Sequence, residues 1–124
     1  MAFGHGAGER AVMQRMFGEM LTAYRQEENG WAREVIGGVF LRREVQMRVL
    51  DGGMREFRPI LKATIPGEES KVRIGDVIAV GEGPQISNAE EMAELRETGE
   101  CYAVVRIQDN TMQPRLKHWR IEAE

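Results

Sequence analysis

The side chains that could do chemistry are few and widely spaced. Histidine occurs twice, as His5 and His118, and cysteine once, as Cys101. Nucleophilic catalysis needs a reactive side chain held beside a base, most often histidine. His5 stands in the glycine-rich start MAFGHGAG and reads as a solvated residue. His118 alternates with Trp119 near the end of the chain and reads as a packing or surface hydrogen-bonding residue. Neither shows the HxxH or HxE spacing of a metal site. Cys101 opens a strand-like stretch, where a partly buried structural thiol is expected rather than a nucleophile. One cysteine also excludes an internal disulfide framework and the multi-cysteine zinc sites. Glu90, Glu91 and Glu94 look like paired carboxylates, yet at helical spacing they form a solvated face. Nothing near them supplies the burial that raises a carboxylate pKa. Gly81-Glu82-Gly83-Pro84 is no phosphate loop, because no Lys-Ser/Thr follows and proline stands where a helix must start. The expectation is a non-enzymatic protein with no catalytic residue, metal or cofactor.

What remains is charge. The 124 residues carry 17 Lys+Arg and 20 Asp+Glu, a net charge of −3. Residues 31–65 hold seven basic side chains and four acidic ones, so this segment is +3. Residues 66–100 hold three basic and nine acidic, which makes −6. Solvated faces account for this division. The sharper reading is a two-signed molecule that docks head-to-tail on copies of itself. Interface candidates are then Arg42, Arg43 and Arg48 on the basic side and Glu68, Glu69 and Glu82 on the acidic side. The arm at 1–18 and the loops at 66–71 and 82–88 join them as expected partner contacts. A sequence pI near 5.5 argues against a general nucleic-acid binder. The alternative reading is nonetheless a nucleic-acid-binding small β-barrel that uses the basic segment 31–65. Aromatics are 6 % of the chain, and Phe40 alone lies near those cations, so no stacking platform is indicated.

The elements that must position these residues follow from periodicity. Residues 1–8 have no pattern and read as an arm. Val12, Met13, Met16, Phe17, Met20, Leu21 and Tyr24 fit one helical face, yet Asn29-Gly30 is a strong hairpin signal. The reading is a helix or arm over 9–18 and a strand over 19–26, with helix kept as the alternative. Trp31–Leu41 reads as a strand with a bulge at Gly37-Gly38. Glu44–Leu50 alternates, with Val45, Met47 and Val49 on one face. Asp51-Gly52-Gly53 is a tight turn, and Met54–Ile65 returns with Phe57, Leu61, Ala63 and Ile65 on one face. Pro59 makes that strand an edge or a bend. Gly75-Asp76 turns into a buried strand, Val77–Gly81. Ser87–Glu97 is a helix, capped by Ser87 with Glu90 or by Asn88 with Glu91. Cys101–Ile107 is a strand with Cys101, Ala103, Val105 and Ile107 on one face, and Arg115–Ala123 is the last strand.

Six or seven short strands, one or two helices and hairpin connections predict a mainly β fold. The form expected is a small antiparallel barrel or sandwich, with an N-terminal helical arm and one inserted helix at about 88–97. The length fits one β-rich domain over 19–124 behind the arm at 1–18. No apolar run approaches the ~20 residues of a membrane span, and the start lacks a signal pattern, so no membrane partner is expected.

Three segments carry a resemblance. They are Glu28–Phe40, Val72–Glu82 with its Ile-Gly-Asp-Val-Ile core, and Tyr102–Thr111 followed by Leu116-Lys-His-Trp-Arg-Ile-Glu-Ala123. In this order they resemble a family of small prophage-encoded minor structural proteins, and more distantly the head–tail joining proteins of lambda-type phages. The sequence differs from that family at Leu41, where its members tend to have Trp, and in its Met-rich start. The resemblance covers about residues 20–124. It implies a bacteriophage virion structural protein of the head–tail connector or tail-completion region, made in the bacterial host cytoplasm. Its partners would be itself, as a ring homo-oligomer in the virion, and neighbouring phage connector or tail proteins. No catalytic residue comes with the resemblance.

Overall fold

Short glycine-containing turns fold the alternating segments back on their neighbours, and the strands so formed close on themselves. The computed structural model describes residues 18–112 and 115–124. Its strands are β1 (Glu19–Glu27), β2 (Gly30–Val49), β3 (Arg55–Pro66), β4 (Val77–Val80), β5 (Cys101–Asn110) and β6 (His118–Ala123). A helix, α1 (Ala89–Thr98), lies between β4 and β5. The strands form a closed barrel in the order β1-β2-β3-β6-β5-β4, and every pair is antiparallel. The protein is thus mainly β, and of the two expected forms it is the barrel. The expected arm at 1–18 lies, apart from Gly18, outside the described residues.

Residues 19–27 are a strand, so the hairpin signal of Asn29-Gly30 wins over the helical spacing before it. Tertiary pairing decides this: β1 has β2 on one side and β4 on the other, and Leu21, Thr22 and Tyr24 are fully buried between them. The bulge at Gly37-Gly38 is present. Two steps along β1, from Glu19 to Leu21, face three along β2, from Val39 back to Ile36. Gly38 takes φ +69, a conformation that a side chain rarely tolerates.

Two stretches read separately in the sequence, Trp31–Leu41 and Glu44–Leu50, are one twenty-residue strand. Pro59 lies where β3 has β2 on one side only, because pairing with β6 begins at Leu61. That edge placement is where a residue without an N–H belongs.

The face expected for β5 is corrected. Tyr102 and Val104 are buried in the barrel, whereas Val105 is exposed. A bulge between Val104 and Arg106 flips the alternation, so Ile107 regains the inner face. Cys101 and Ala103 point the other way, and Cys101 packs under the helix. β6 begins at His118, three residues later than expected.

Two apolar clusters result. One fills the barrel, with Leu21, Val39, Leu61, Ile78, Val104 and Ile121 among its members. The second lies outside the wall at β1 and β4, where α1 packs Met92 and Leu95 over Tyr24, Val77, Ala79 and Ile86. Asn88 caps the helix, its Oδ1 accepting from the Glu91 N–H at 2.8 Å, which selects the second of the two expected boxes.

The turn before β4 is held by one buried carboxylate. Asp76 accepts Arg25 Nε at 3.1 Å and Nη2 at 3.0 Å, and the Arg73 N–H at 2.8 Å. It is 4 % exposed, so its oxygens must be paired within the protein. Asp76→Ala leaves a guanidinium and a backbone N–H without their acceptor. The expected loss, measured by urea unfolding, is about 2 to 3 kcal/mol, kept modest because Arg25 still reaches water.

Candidate interaction surface

β2 and β3 are longer than the barrel needs. β1 leaves β2 at Val39 and β6 leaves β3 at Leu61, so Glu44–Val49 and Arg55–Ile60 pair only with each other. This two-stranded ribbon projects about 20 Å beyond the wall at the rise of an antiparallel strand. Side chains two apart share a face, so the inner lining of the barrel, Leu41 and Leu61, continues outward as Val45, Met47, Val49 and Phe57. Met47 stands opposite Phe57, and Val45 opposite Pro59. Outside the barrel none of the described residues covers them: Val45 is 67 % exposed, Met47 50 %, Val49 67 % and Phe57 64 %. At the tip, Leu50 and Met54 are exposed as well.

The ribbon is anchored by charge on both faces. Arg43, on the inner face, reaches across the opening left where β1 ends. Its Nε donates to Glu100 Oε2 at 2.6 Å and its Nη2 to Oε1 at 2.9 Å. The Tyr102 hydroxyl donates to the same carboxylate at 2.6 Å. The Arg43 hydrogen bonds hold the Glu100 carboxyl below its usual range, with the Tyr102 bond adding to this. Burial, then the bond to Glu100 and its charge, push the Tyr102 phenol up to about 12. On the outer face, Arg58 donates to Glu124 at 3.1 Å and Arg48 lies 3.7 Å from it.

A shallow groove of about 440 Å³ runs over the outer face of β2, β3, β6 and β5. Strand register sets its lining in two rows. Arg42, Lys62, Glu122 and Arg106 form one, and Phe40, Thr64, Arg120 and Gln108 form the other. Glu44 lies beside the first row, at 2.8 Å from Arg42 and 3.0 Å from Lys62, and the Lys62 hydrogen bond lowers its pKa. Arg106 is 3.7 Å from Glu122, and no carboxylate among the described residues pairs with Arg120.

The six candidate interface residues do not converge. Arg42 is in the groove, Arg43 at the barrel mouth and Arg48 on the outer face of the ribbon. Glu68 pairs with Lys117 at 2.9 Å, Glu82 lies 3.6 Å from Arg33, and Glu69 is exposed. The loop at 82–88 is fastened down: Gly83 O accepts from Arg33, Gly83 N–H donates to Thr22, and the Tyr24 hydroxyl donates to Pro84 O. A Cβ on Gly83 would collide with the Tyr24 ring, which is itself fully buried. What the sequence reading missed is Lys62, Arg106 and Arg120 as one cationic face, and the exposure of Val45, Met47, Val49 and Phe57. The available signal was the unbroken alternation from Leu41 to Val49, longer than a small barrel strand requires.

The residues weighed for catalysis have structural partners. The Leu116 carbonyl can only accept, so His118 Nδ1–H donates to it at 2.9 Å and Nε2 accepts from Asn110 at 3.2 Å. Burial raises the Cys101 thiol pKa, and its Sγ lies 3.6 Å from the Leu95 carbonyl. Among the described residues no group of three His, Cys, Asp or Glu is placed to hold a metal ion, and no helix is long and apolar enough to cross a membrane.

Fold and surface together define a small closed β-barrel with a protruding ribbon and one external helix. The chain belongs to a family of unknown function, DUF6751, whose profile matches residues 19–124. That match takes in all six strands, the ribbon and the helix. No curated protein and no solved structure matches the chain.

Two measurements follow. Glu100 has a lower pKa folded than the ordinary 4.5, so its contribution is present above that value and is lost as pH falls through it toward the folded pKa. Wild-type melting temperature should therefore drop on the acid side below 4.5, and Glu100→Gln should flatten that limb. Cys101, partly buried with a raised pKa, should react with iodoacetamide at neutral pH far more slowly in the native protein than in urea.

Proposed function

We propose that this protein is a non-enzymatic assembly component that works by binding copies of itself and neighbouring proteins. The observation that carries the reading is the ribbon. It holds Val45, Met47, Val49, Met54 and Phe57 exposed on a two-stranded support. A contiguous apolar surface of this kind marks an interaction site. Among the described residues β2 also has no strand other than β3 beside Glu44–Val49, and an open edge can accept a strand. The resemblance to prophage-encoded structural proteins supplies the setting: the head–tail connector or tail-completion region of a virion, where copies form a ring. The product would be made in the host cytoplasm and built into the particle.

The alternative, a nucleic-acid-binding barrel using segment 31–65, loses much of its support. Arg33, Arg42, Arg43, Arg48, Arg58 and Lys62 each have a carboxylate within 4.0 Å. The groove, where no carboxylate among the described residues pairs with Arg120, is what still favours it. A mobility shift that weakens steeply with salt would be its mark.

The test of the assembly reading is sedimentation over a wide concentration range, together with pull-down of the proteins encoded beside it. Met47→Lys with Phe57→Lys alters two exposed positions and should leave the fold intact by circular dichroism. Wild type should form oligomers or capture a neighbour-encoded structural protein, and the double variant should do neither. A wild type that stays monomeric and captures nothing, or a variant that behaves as wild type, would sink the proposal. Removing residues 1–17 in parallel shows whether that segment contributes.

A further inference from the structure

Three of the four α1 glutamates point away from the barrel. Spacings of four and three residues put Glu90, Glu94 and Glu97 on one stripe, opposite Met92 and Leu95, which are the residues that pack against the wall. None of the three forms an ion pair among the described residues, while Glu91 is occupied by the cap.

The groove carries the opposite pattern. Arg42, Lys62, Arg106 and Arg120 surround a single lining carboxylate, Glu122. A stripe of three acids thus stands against a floor of four bases that holds Glu122, with Glu44 beside it. The stripe fits within the floor. Four adjacent strands at about 4.8 Å spacing make a row some 14 Å across, and Glu90 to Glu97 spans about 10 Å of helix.

Their placement in the barrel is equally informative. The helix lies over β1 and β4. In the order β1-β2-β3-β6-β5-β4 the strands opposite are β3 and β6, and these form the floor of the groove. One face therefore cannot reach the other within a chain. We infer that the groove receives the α1 helix of a second copy, giving a head-to-tail contact. A contact between two different faces propagates from copy to copy, and it closes into a ring when the rotation allows. This inference rests on the assembly reading and assigns its polarity.

The test is charge exchange at exposed positions. One variant carries Arg106→Glu with Arg120→Glu, and the other carries Glu90→Lys with Glu94→Lys. Each alone should weaken self-association at least about tenfold, since like charges then face one another. Mixing the two, or combining all four substitutions in one chain, should restore it. A purely structural defect would not be rescued in this way. Association that survives in either variant, or that fails to return in the four-fold variant, overturns the inference. If the ribbon variant is monomeric while both charge variants assemble as wild type, the inference falls and the assembly reading stands. A monomeric wild type removes both. An oligonucleotide mobility shift lost in the groove variant, with self-association unchanged, assigns the groove to nucleic acid and overturns the inference.

Discussion

The barrel closes through its shortest strand. β4 has four residues, and its pairing with β1 on one side and β5 on the other joins the two ends of the sheet. Such a seam is weak in backbone hydrogen bonds alone, and the surrounding side chains reinforce it. Asp76 ties its entrance to β1 through Arg25, and the Asp76 carbonyl accepts the Val104 N–H at 2.8 Å. At its exit, Thr22 on β1 donates to the Gly81 carbonyl and accepts the Gly83 N–H, both at 2.8 Å. Helix α1 then lies over the seam and keeps water from Val77 and Ala79. Turn, loop and helix, which look like three unrelated insertions in the sequence, thus serve one closure.

Once the seam is shut, the excess length of β2 has one place to go. Its first half belongs to the wall and its second half leaves it. The change occurs just past the Gly37-Gly38 bulge, where β1 ends and β2 gives its inner face to the barrel mouth. The apolar side chains beyond that point are the continuation of a core pattern with no core left to enter. Arg43, between Leu41 and Val45 on the same face, marks the boundary: its bidentate pair with Glu100 caps the mouth and fixes the root of the ribbon. An exposed apolar surface is produced here by carrying a core periodicity past the edge of the core.

Much of this was legible in the sequence, and the failures share a cause. Alternation located β3, the Gly75-Asp76 turn before an apolar run located β4, the Asp51-Gly52-Gly53 turn located the ribbon tip, and Asn88 with Glu91 was one of two boxes that located the helix start. Each of these is decided by neighbours close in the chain. The residues of β1 were ambiguous because both of its faces are buried, one against the barrel interior and one under the helix, so apolar side chains fill the helical positions too. The face of β5 was misread because a bulge shifts parity without any glycine to announce it. The exposure of Val45, Met47 and Val49 was missed because alternation records which side a residue faces and says nothing of what covers that side. The cationic groove escaped because Arg42, Lys62, Arg106 and Arg120 come from four strands and meet only through register.

The charge pattern changes meaning in the same way. Along the chain it is a +3 segment followed by a −6 segment. In the fold, much of the positive segment is spent inside the molecule: Arg33, Arg43 and Arg58 hold a loop, the barrel mouth and the C-terminus in place. The negative segment is not matched to the same extent, since Glu90, Glu94 and Glu97 stand on a helix whose other face is buried. Linear charge bookkeeping would therefore place the docking surface on residues 31–65. In three dimensions the cations gather instead in a groove that takes Arg42 and Lys62 from that segment and Arg106 and Arg120 from far outside it. The helix and the groove owe their opposite positions to barrel closure at β4, so the pairing that shuts the barrel also sets the acidic helix and the cationic groove on opposite sides of the wall.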